Sequence, residues 1–355
     1  MTGFSPEELQ LAARNSGMPL EAMRWDVTPV GLHYLLIHYD VPLVEPSGWR
    51  LSIGGAVSAP CELSLDDLRG RAVETRAVTM ECAGNGRARL APRPVSQPWL
   101  HEAVGTGEWT GTPLAGVLED AGISSGAVDV VFTGLDRGVE GSEEQHYARA
   151  LSVTDALRDE VLLAWGLNGM PLPPQHGFPL RLIVPGWYGM TSVKWLSRID
   201  VIDRAFDGYQ QREAYRMRAT EDDPGVPVTR MAPRALMVPP GIPEFMSRRR
   251  HLPAGPVELF GRAWSGNGTI ADVEVSVDGG ASWAWASLEP EAGPFAWRGW
   301  RFAWNAVPGE FELCCRCSDS SGARQPVEAA WNVGGYANTS VQRVAVTVTE
   351  GPLTR

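Results

Sequence analysis

The final third of the chain consists of short runs in which apolar and polar residues alternate, and this period of two indicates strands rather than helices. Asp278-Gly279-Gly280 has the composition of a hairpin turn between two of these runs. Short, evenly spaced strands of this kind favour two packed antiparallel sheets. We therefore predict an all-β, immunoglobulin-like sandwich domain from the runs at 257–264, 273–277, 283–288, 297–304, 311–317 and 341–348.

The upstream part of the chain mixes helix and strand signals. Ser5, Pro6 and Glu8 combine an N-cap, an N1 proline and a capping box, so a short helix is expected to begin there. Residues 32–37 and 77–80 have the apolar composition of buried strands. Between 221 and 256 the composition shifts to proline and charge, which is typical of a connection between domains. The predicted fold class is α+β, with a mixed α/β domain at 1–235 and the sandwich at 236–355.

Charge and composition restrict the possible partners. The formal net charge of −11 disfavours nucleic acid and anionic membrane surfaces, because both would be repelled. No apolar run reaches the roughly 18 residues needed to cross a bilayer, and the N-terminal segment lacks a signal-peptide pattern. The five cysteines are too few and too unevenly placed for a disulfide scaffold. We expect a soluble protein of the reducing cytoplasm, with no nucleic-acid or membrane partner.

Cys82 lies in a glycine-rich loop that directly follows the strand pattern at 77–80. Such a loop can bring its backbone close to a bound group. The thiol there could ligate a soft metal, act as a nucleophile, or fill space as a small buried side chain, and its residue type alone leaves all three readings open. The cysteines at 314, 315 and 317 point to opposite faces of one strand, so we predict core residues rather than metal ligands.

Three stretches, in the same order along the chain, carry a resemblance to a known family: residues 81–87 around Cys82, residues 176–181 and residues 184–196. They resemble the motifs of the sulfite oxidase family of molybdopterin-dependent oxidoreductases. The resemblance extends from about Thr28 to Thr349. It implies a sulfite-oxidase-type molybdopterin domain, followed by a sandwich domain that supports a homodimer.

The resemblance also implies one molybdenum cofactor per chain, a single pyranopterin without a nucleotide tail, with Cys82 as the metal ligand. A thiolate suits such a redox metal. Arg181 could grip the pterin phosphate with its fork, and Lys194 could add a compact charge, although both could also be solvated strand ends. Asp136 and His176 could instead serve in turns. The positions that would contact the cofactor are His38, Tyr39, Asp40, Asp136, His176, Arg181, Ser192, Val193 and Lys194.

A small anionic substrate such as sulfite requires a cationic pocket. By motif position, Arg87 and Arg298 correspond to pocket arginines of the family, Tyr147 to its active-site tyrosine, and His38 to a position where animal and plant sulfite oxidases carry an arginine. Arg298 could instead pack on neighbouring tryptophans, and Tyr147 could be an interface aromatic. Gly86 replaces the first of two arginines that commonly end the cysteine loop. We expect reduced positive charge at the site.

The activity that follows from the resemblance is oxygen-atom transfer, with sulfite oxidised to sulfate. The sequence has no Cys-x-x-Cys-His haem motif and no haem domain, so we expect electrons to pass to an external acceptor such as a cytochrome. The alternatives are a molybdenum enzyme that reduces an S-oxide, an N-oxide or nitrate, a cysteine hydrolase built on Cys82, and a metal-free binding protein.

Overall fold

The computed structural model describes residues 3–140 and 142–351 of the chain. Ser5 caps the first helix and forms the predicted capping box with Glu8. The α-helices are short, and all lie in the upstream part: α1 (Pro6–Arg14), α2 (Leu65–Arg69), α3 (Leu114–Ala121), α4 (Val153–Ala156) and α5 (Tyr209–Arg212). Single 3₁₀ turns occupy Leu20–Arg24, Val30–Leu32, Arg87–Arg89, Pro174–His176 and Gly189–Thr191.

Two sheets form the framework of the upstream part. Their strands are β1 (Leu51–Gly55), β2 (Cys61–Leu63), β3 (Glu74–Glu81), β4 (Val104–Pro113), β5 (Asp129–Glu140), β6 (Glu143–Ser152), β7 (Leu162–Leu167), β8 (Met170–Pro171), β9 (Arg181–Ile183) and β10 (Leu196–Ile202). One sheet has the order β2-β1-β10-β5-β6, in which only the β1–β10 pair is parallel. The other has the order β3-β4-β7-β8, with β9 added beside β7. A core that includes Leu51, Phe132 and Ile199 lies against α2 and α3.

The downstream part contains helix-free paired sheets, as the alternating pattern predicts. The remaining strands are β11 (Arg216–Met217), β12 (Val226–Pro227), β13 (Arg234–Met237), β14 (Ile242–Pro243), β15 (Arg250–Pro253), β16 (Gly255–Trp264), β17 (Ile270–Ser276), β18 (Ala284–Trp285), β19 (Ser287–Leu288), β20 (Arg298–Ala306), β21 (Gly309–Asp319) and β22 (Gln342–Thr349). One sheet is β13-β16-β20-β19, and the other is β14-β15-β22-β21-β17-β18. The immunoglobulin-like topology stays a prediction.

The three downstream cysteines occupy the positions that strand geometry requires. Cys315 and Cys317 are fully buried in the core between the two downstream sheets, and Cys314 lies on the other face of β21. All five cysteines are unbridged. Within the described residues, no group of three or more His, Cys, Asp or Glu side chains could hold a metal ion. The structure thus places these residues as packing groups.

The two parts of the chain share a buried interface. Its core joins Met18 and Tyr188 of the upstream part to Trp264 and Trp297 of the downstream part. The predicted boundary at residue 235 falls inside β13, which pairs with β16 along its whole length. Among the described helices, none is long and apolar enough to span a bilayer.

The prediction of a strand at 32–37 is wrong. After the turn at Val30–Leu32 this segment runs extended, and its only ladder contact is the isolated bridge between Ser16 and Leu35. Its side chains face a cavity instead of a sheet neighbour. Apolar composition could not separate the two cases, because both bury the same residue types.

Candidate active site

A cavity opens beside the end of β3. Side chains from segments far apart in sequence line it, because β3, β6 and β9 and the extended segment after Leu32 all reach this point. Among its lining residues are eight that the sequence nominated: His38, Cys82, Asp136, Tyr147, His176, Arg181, Ser192 and Lys194. The structure therefore gathers most of the predicted site in one place.

Cys82 begins a tight turn at the end of β3. Its amide donates to the Ala103 carbonyl at 2.9 Å, and its own carbonyl accepts from the Asn85 amide at 2.9 Å. Burial raises the pKa of the thiol, while the nearby Arg87 guanidinium lowers it. Gly86 has φ +90°, and a Cβ there would lie 2.8 Å from the Asn338 carbonyl oxygen. The turn therefore has no room for a side chain at 86, which accounts for the missing arginine.

The downstream part of the chain holds this turn in place. Glu81, directly before Cys82, pairs with Arg234 at 2.7 Å, and both side chains are 1 % exposed. The Trp264 indole N–H donates to the other Glu81 carboxylate oxygen at 2.9 Å. Asn85 donates to Glu81 at 2.9 Å. Both oxygens of this buried carboxylate thus accept hydrogen bonds, which fixes the backbone next to the thiol.

We call Arg181 and Lys194, together with the adjacent neutral His176, the cationic cluster. Arg181 donates to the carbonyls of Ser192 and His176, both at 3.3 Å, and Lys194 donates to the Leu36 carbonyl at 2.6 Å. Burial lowers the pKa of Arg181 to about 10 and that of His176 to about 2, so His176 is neutral. Burial also lowers the pKa of Lys194. The Asp136 carboxylate is near enough to oppose this lowering at Lys194. Arg181 and Lys194 both line the cavity, and their charges suit an anionic group such as a phosphate.

Other polar atoms of the cavity also lack partners. Within the described chain, His33 Nε2 and Asp136 Oδ1 are buried and make no hydrogen bond. Burial raises the pKa of the Asp136 carboxyl. Buried polar groups are normally satisfied, so these two call for a ligand with its own donors and acceptors. A pterin supplies donors and acceptors for His33 and Asp136, and its phosphate suits the cationic cluster. The residues present therefore fit a molybdopterin.

A second group, which we call the phenol cluster, comprises His38, Tyr147 and Tyr215. His38 Nε2 lies 2.5 Å from the Tyr215 hydroxyl, and its ring stacks on Tyr147 with centroids 4.8 Å apart. The Tyr147 hydroxyl donates to the Met190 carbonyl at 2.7 Å. Burial lowers the pKa of His38 to about 3 and raises the pKa of both phenols. The cluster is therefore neutral and rich in hydrogen-bonding atoms.

Three predicted cofactor contacts have side chains that do not line the cavity, and their contact with the cofactor stays a prediction. The Tyr39 hydroxyl lies 2.9 Å from Gln210 and 3.3 Å from Glu140. Asp40 is 94 % exposed and lies 3.9 Å from Arg14. Val193 is buried in the core of the upstream part. Their sequence neighbours His38, Ser192 and Lys194 do line the cavity.

The two predicted pocket arginines also lie outside the cavity lining. Arg87 is buried beside the cysteine turn, where it donates to the Gly334 carbonyl at 2.8 Å and the Gln97 carbonyl at 3.1 Å. Its catalytic role stays a prediction. The guanidinium of Arg298 donates to the carbonyls of Glu289 at 2.9 Å and Ile270 at 3.0 Å in the downstream part, and its role in the pocket also stays a prediction.

Sequence reasoning missed some of the cavity residues. His33, Tyr34 and Tyr215 line the cavity but belong to none of the quoted motifs. Tyr215 has a positive φ of +54°, which is strained for a tyrosine and invisible in sequence. One sequence signal was available: Lys194 is the only lysine in the chain. In a protein whose other basic side chains are arginines, a lone buried lysine marks a special position.

Comparison with known proteins agrees with this geometry. Residues 38–210 match the family model described as "Oxidoreductase molybdopterin binding domain", and residues 230–349 match "Mo-co oxidoreductase dimerisation domain". Fold and site thus define a molybdopterin-dependent oxidoreductase.

The chain belongs to the sulfite oxidase family. It is 35 % identical over 337 residues to sulfite oxidase of Gallus gallus, covering 89 % of this chain and 72 % of that protein. It is 30 % identical over 351 residues to an NADH nitrate reductase of Brassica napus, covering 91 % and 38 %. Among solved structures, sulfane dehydrogenase SoxCD of Paracoccus pantotrophus is similar with a TM-score of 0.82 and 26 % identity, covering 98 % and 88 %. The chain spans 62 % of the mitochondrial sulfite oxidases of mouse and rat.

Proposed function

We propose that this enzyme oxidises sulfite to sulfate and passes the electrons to an external acceptor such as a cytochrome. The observation that carries the proposal is one cavity that joins the buried thiol of Cys82, the basic side chains of Arg181 and Lys194, and the phenol cluster. The similarity to sulfite oxidases over about nine tenths of the chain supports the choice of substrate. We further propose that the enzyme is a cytoplasmic homodimer formed through the downstream domain.

The residues divide into those that would hold the cofactor and those that would serve the substrate. Cys82 would ligate molybdenum, Arg181 and Lys194 would bind the phosphate, and His33 and Asp136 would contact the pterin. When bound, the cofactor supplies two-electron oxygen-atom transfer chemistry.

The phenol cluster would orient the substrate by donating hydrogen bonds to it. The pKa values of both phenols are raised by burial, so their hydroxyls stay protonated near neutral pH and can donate. The Tyr147 hydroxyl is already committed to the Met190 carbonyl, which fixes its ring against His38. The Tyr215 hydroxyl, which lies 2.5 Å from His38 Nε2, can turn its proton toward an oxyanion, while the neutral His38 ring holds the phenol in place.

The test uses cofactor-loaded enzyme, sulfite, and ferricyanide as a one-electron acceptor. We expect sulfate formation with two equivalents of ferricyanide reduced per sulfite. Tyr215→Phe should lower kcat/KM by about 10²-fold, because it removes the hydroxyl that meets the substrate. Tyr209→Phe, on the neighbouring helix α5, is the matched control and should keep the parental value. Nitrate reduction with a reduced dye and no sulfite oxidation would replace the proposal by transfer in the opposite direction.

A second candidate is oxidation of a sulfane sulfur compound. Its specific support is the neutral phenol cluster, because a reacting sulfur that carries little charge needs no arginine beside it. The similar solved structure is titled a sulfane dehydrogenase. Separate measurements of kcat/KM for sulfite and for an uncharged organic trisulfide with the loaded enzyme distinguish the two candidates: the better substrate is the one with the higher kcat/KM.

A further inference from the structure

The phenol cluster would meet an anion without a charged side chain of its own. His38 is neutral, and Tyr147 and Tyr215 are phenols. The cations that line the cavity are Arg181 and Lys194, and the proposed function commits these to the cofactor phosphate. Sulfite binding under that proposal needs a further source of positive potential.

Arg149 on β6 lies directly behind the phenol cluster. Its side chain is 3 % exposed, and its guanidinium carbon is 5.6 Å from the centre of the Tyr215 ring. Nη1 donates to the Gln210 carbonyl, while Nε has no hydrogen-bond partner among the described residues. Within the same residues, no carboxylate lies within 4.0 Å of it. A buried guanidinium that lacks a counter-ion leaves its charge available to whatever enters the cavity.

Other neighbours hold the Tyr215 ring against Arg149. Its centroid lies 5.2 Å from that of Tyr336, whose ring in turn has the Arg87 guanidinium at 5.1 Å. Arg149, Tyr215, Tyr336 and Arg87 thus form a column of cation, two phenols and cation. The positive φ of Tyr215 costs free energy that this packing and the His38 hydrogen bond must offset.

We propose that Arg149 supplies the positive charge that position 38 lacks, acting through the Tyr215 ring as a positioning and specificity-determining residue for an oxyanion substrate. The inference rests on the proposed function for its substrate class. Arg149 does not touch the substrate. It raises the potential at the Tyr215 hydroxyl and orients that hydroxyl as a donor, because a buried charge is poorly screened over such distances.

The test separates charge from packing. Arg149→Met removes the charge with little change in side-chain length, Arg149→Lys keeps the charge without the fork, and Arg137→Met, at an exposed position of the adjacent strand β5, is the control. Sulfate binding to cofactor-loaded protein is measured by calorimetry at low salt, and sulfite KM and kcat are measured alongside. Arg149→Met should weaken sulfate binding and raise KM about tenfold, with kcat changed less than threefold. Arg149→Lys and Arg137→Met should stay within threefold of the parent.

Parental sulfate affinity in folded Arg149→Met would overturn the inference. So would equal losses in Arg149→Met and Arg149→Lys, which would indicate a structural role at the Gln210 carbonyl. If Arg149→Met does not fold, Arg149→Lys decides: retained sulfate binding supports the charge role, and its loss contradicts it. Because sulfate binding requires no turnover, a tenfold loss in Arg149→Met together with absent sulfite oxidation would retain the inference and reject the proposed function.

Discussion

Glu81 and Arg234 form a buried ion pair at 2.7 Å that ties the residue before Cys82 to β13, the first strand of the downstream sheets. Arg234 also donates to the Asn338 carbonyl at 3.0 Å and lies 2.8 Å from His101 Nδ1. The pair therefore connects the cysteine turn, the downstream part and the core of the upstream part. The same contacts therefore stabilise the fold and hold the backbone next to the Cys82 thiol in place.

Removing one partner of this pair should be strongly destabilising. Arg234→Met leaves the Glu81 carboxylate buried without its cation, and we expect a loss of about 3–5 kcal/mol in the free energy of unfolding. Denaturant titration measures it. Asp66→Asn, which breaks the exposed pair with Arg69, should cost about 1 kcal/mol or less. Equal losses in the two variants would show that the buried pair does not clamp the turn.

Lys194 gives a direct probe of the cofactor site because it is the only lysine. Burial lowers the pKa of its amine, so the neutral, reactive form is populated at lower pH than in a free lysine. Cyanate should carbamylate Lys194 in cofactor-free protein and react at least about tenfold more slowly in loaded protein. Mass spectrometry of the peptide that contains Lys194 measures this, with the α-amino group as an internal reference. Equal labelling rates would argue against a phosphate bound at this amine.

Acid should destabilise the cofactor-free protein well before its carboxylates titrate. Burial lowers the pKa of His33 to about 4, of His38 to about 3 and of His176 to about 2, and it also lowers that of His101. Their unfolded pKa is about 6.5, so below that pH the unfolded chain binds protons that the native state refuses.

The contribution of these histidines is thus fully present above about pH 6.5 and is lost as the pH falls toward the native values. Each can lower the folding equilibrium constant by up to about tenfold per pH unit. Asp136, whose pKa is raised by burial, opposes the trend as a single group. We expect Tm to fall steadily between pH 6.5 and 5, and His176→Gln to weaken the dependence. A flat Tm over this range would contradict the assigned burial.

The family pattern places Arg298 at the substrate, whereas in the structure its guanidinium bonds to backbone carbonyls of the downstream part. Since its guanidinium bonds to the carbonyls of Glu289 and Ile270, Arg298→Gln should leave sulfite KM and kcat within twofold of the parent. The free energy of unfolding should fall by about 1–2 kcal/mol from the lost hydrogen bonds. Steady-state kinetics and denaturant titration test both parts. A KM increase beyond tenfold would place Arg298 at the substrate after all.

Features that depend only on residues close together in sequence could be predicted from the sequence. The capping box of α1 and the turn at Cys82 depend on neighbouring residues, so their patterns could be read directly. The inward positions of Arg181 and Lys194 came from motifs that place a fixed chemistry at a fixed offset. Each of these features needs little knowledge of the rest of the chain.

Features set by tertiary packing could not be read in this way. Tyr215 reaches the cavity through a strained backbone after α5, and its partner His38 comes from a distant segment. The direction of Arg298 depends on the registry of β20 with β16, and its acceptors are Ile270 of β17 and Glu289, which follows β19. Arg149 follows Tyr147 by two residues, but its sequence neighbours give no sign of its role. That role depends on the Tyr215 ring, which packs against its guanidinium.

The central claim is that the Cys82 thiolate ligates molybdenum, and X-ray absorption at the molybdenum edge tests it most directly. Parent, Cys82→Ser and Cys61→Ser proteins are produced in a host that makes the cofactor; Cys61 is exposed and serves as the control. Parent and Cys61→Ser should contain molybdenum with the same number of sulfur neighbours, and Cys82→Ser should show one fewer. An unchanged sulfur count in Cys82→Ser, or parent protein without molybdenum, would contradict it.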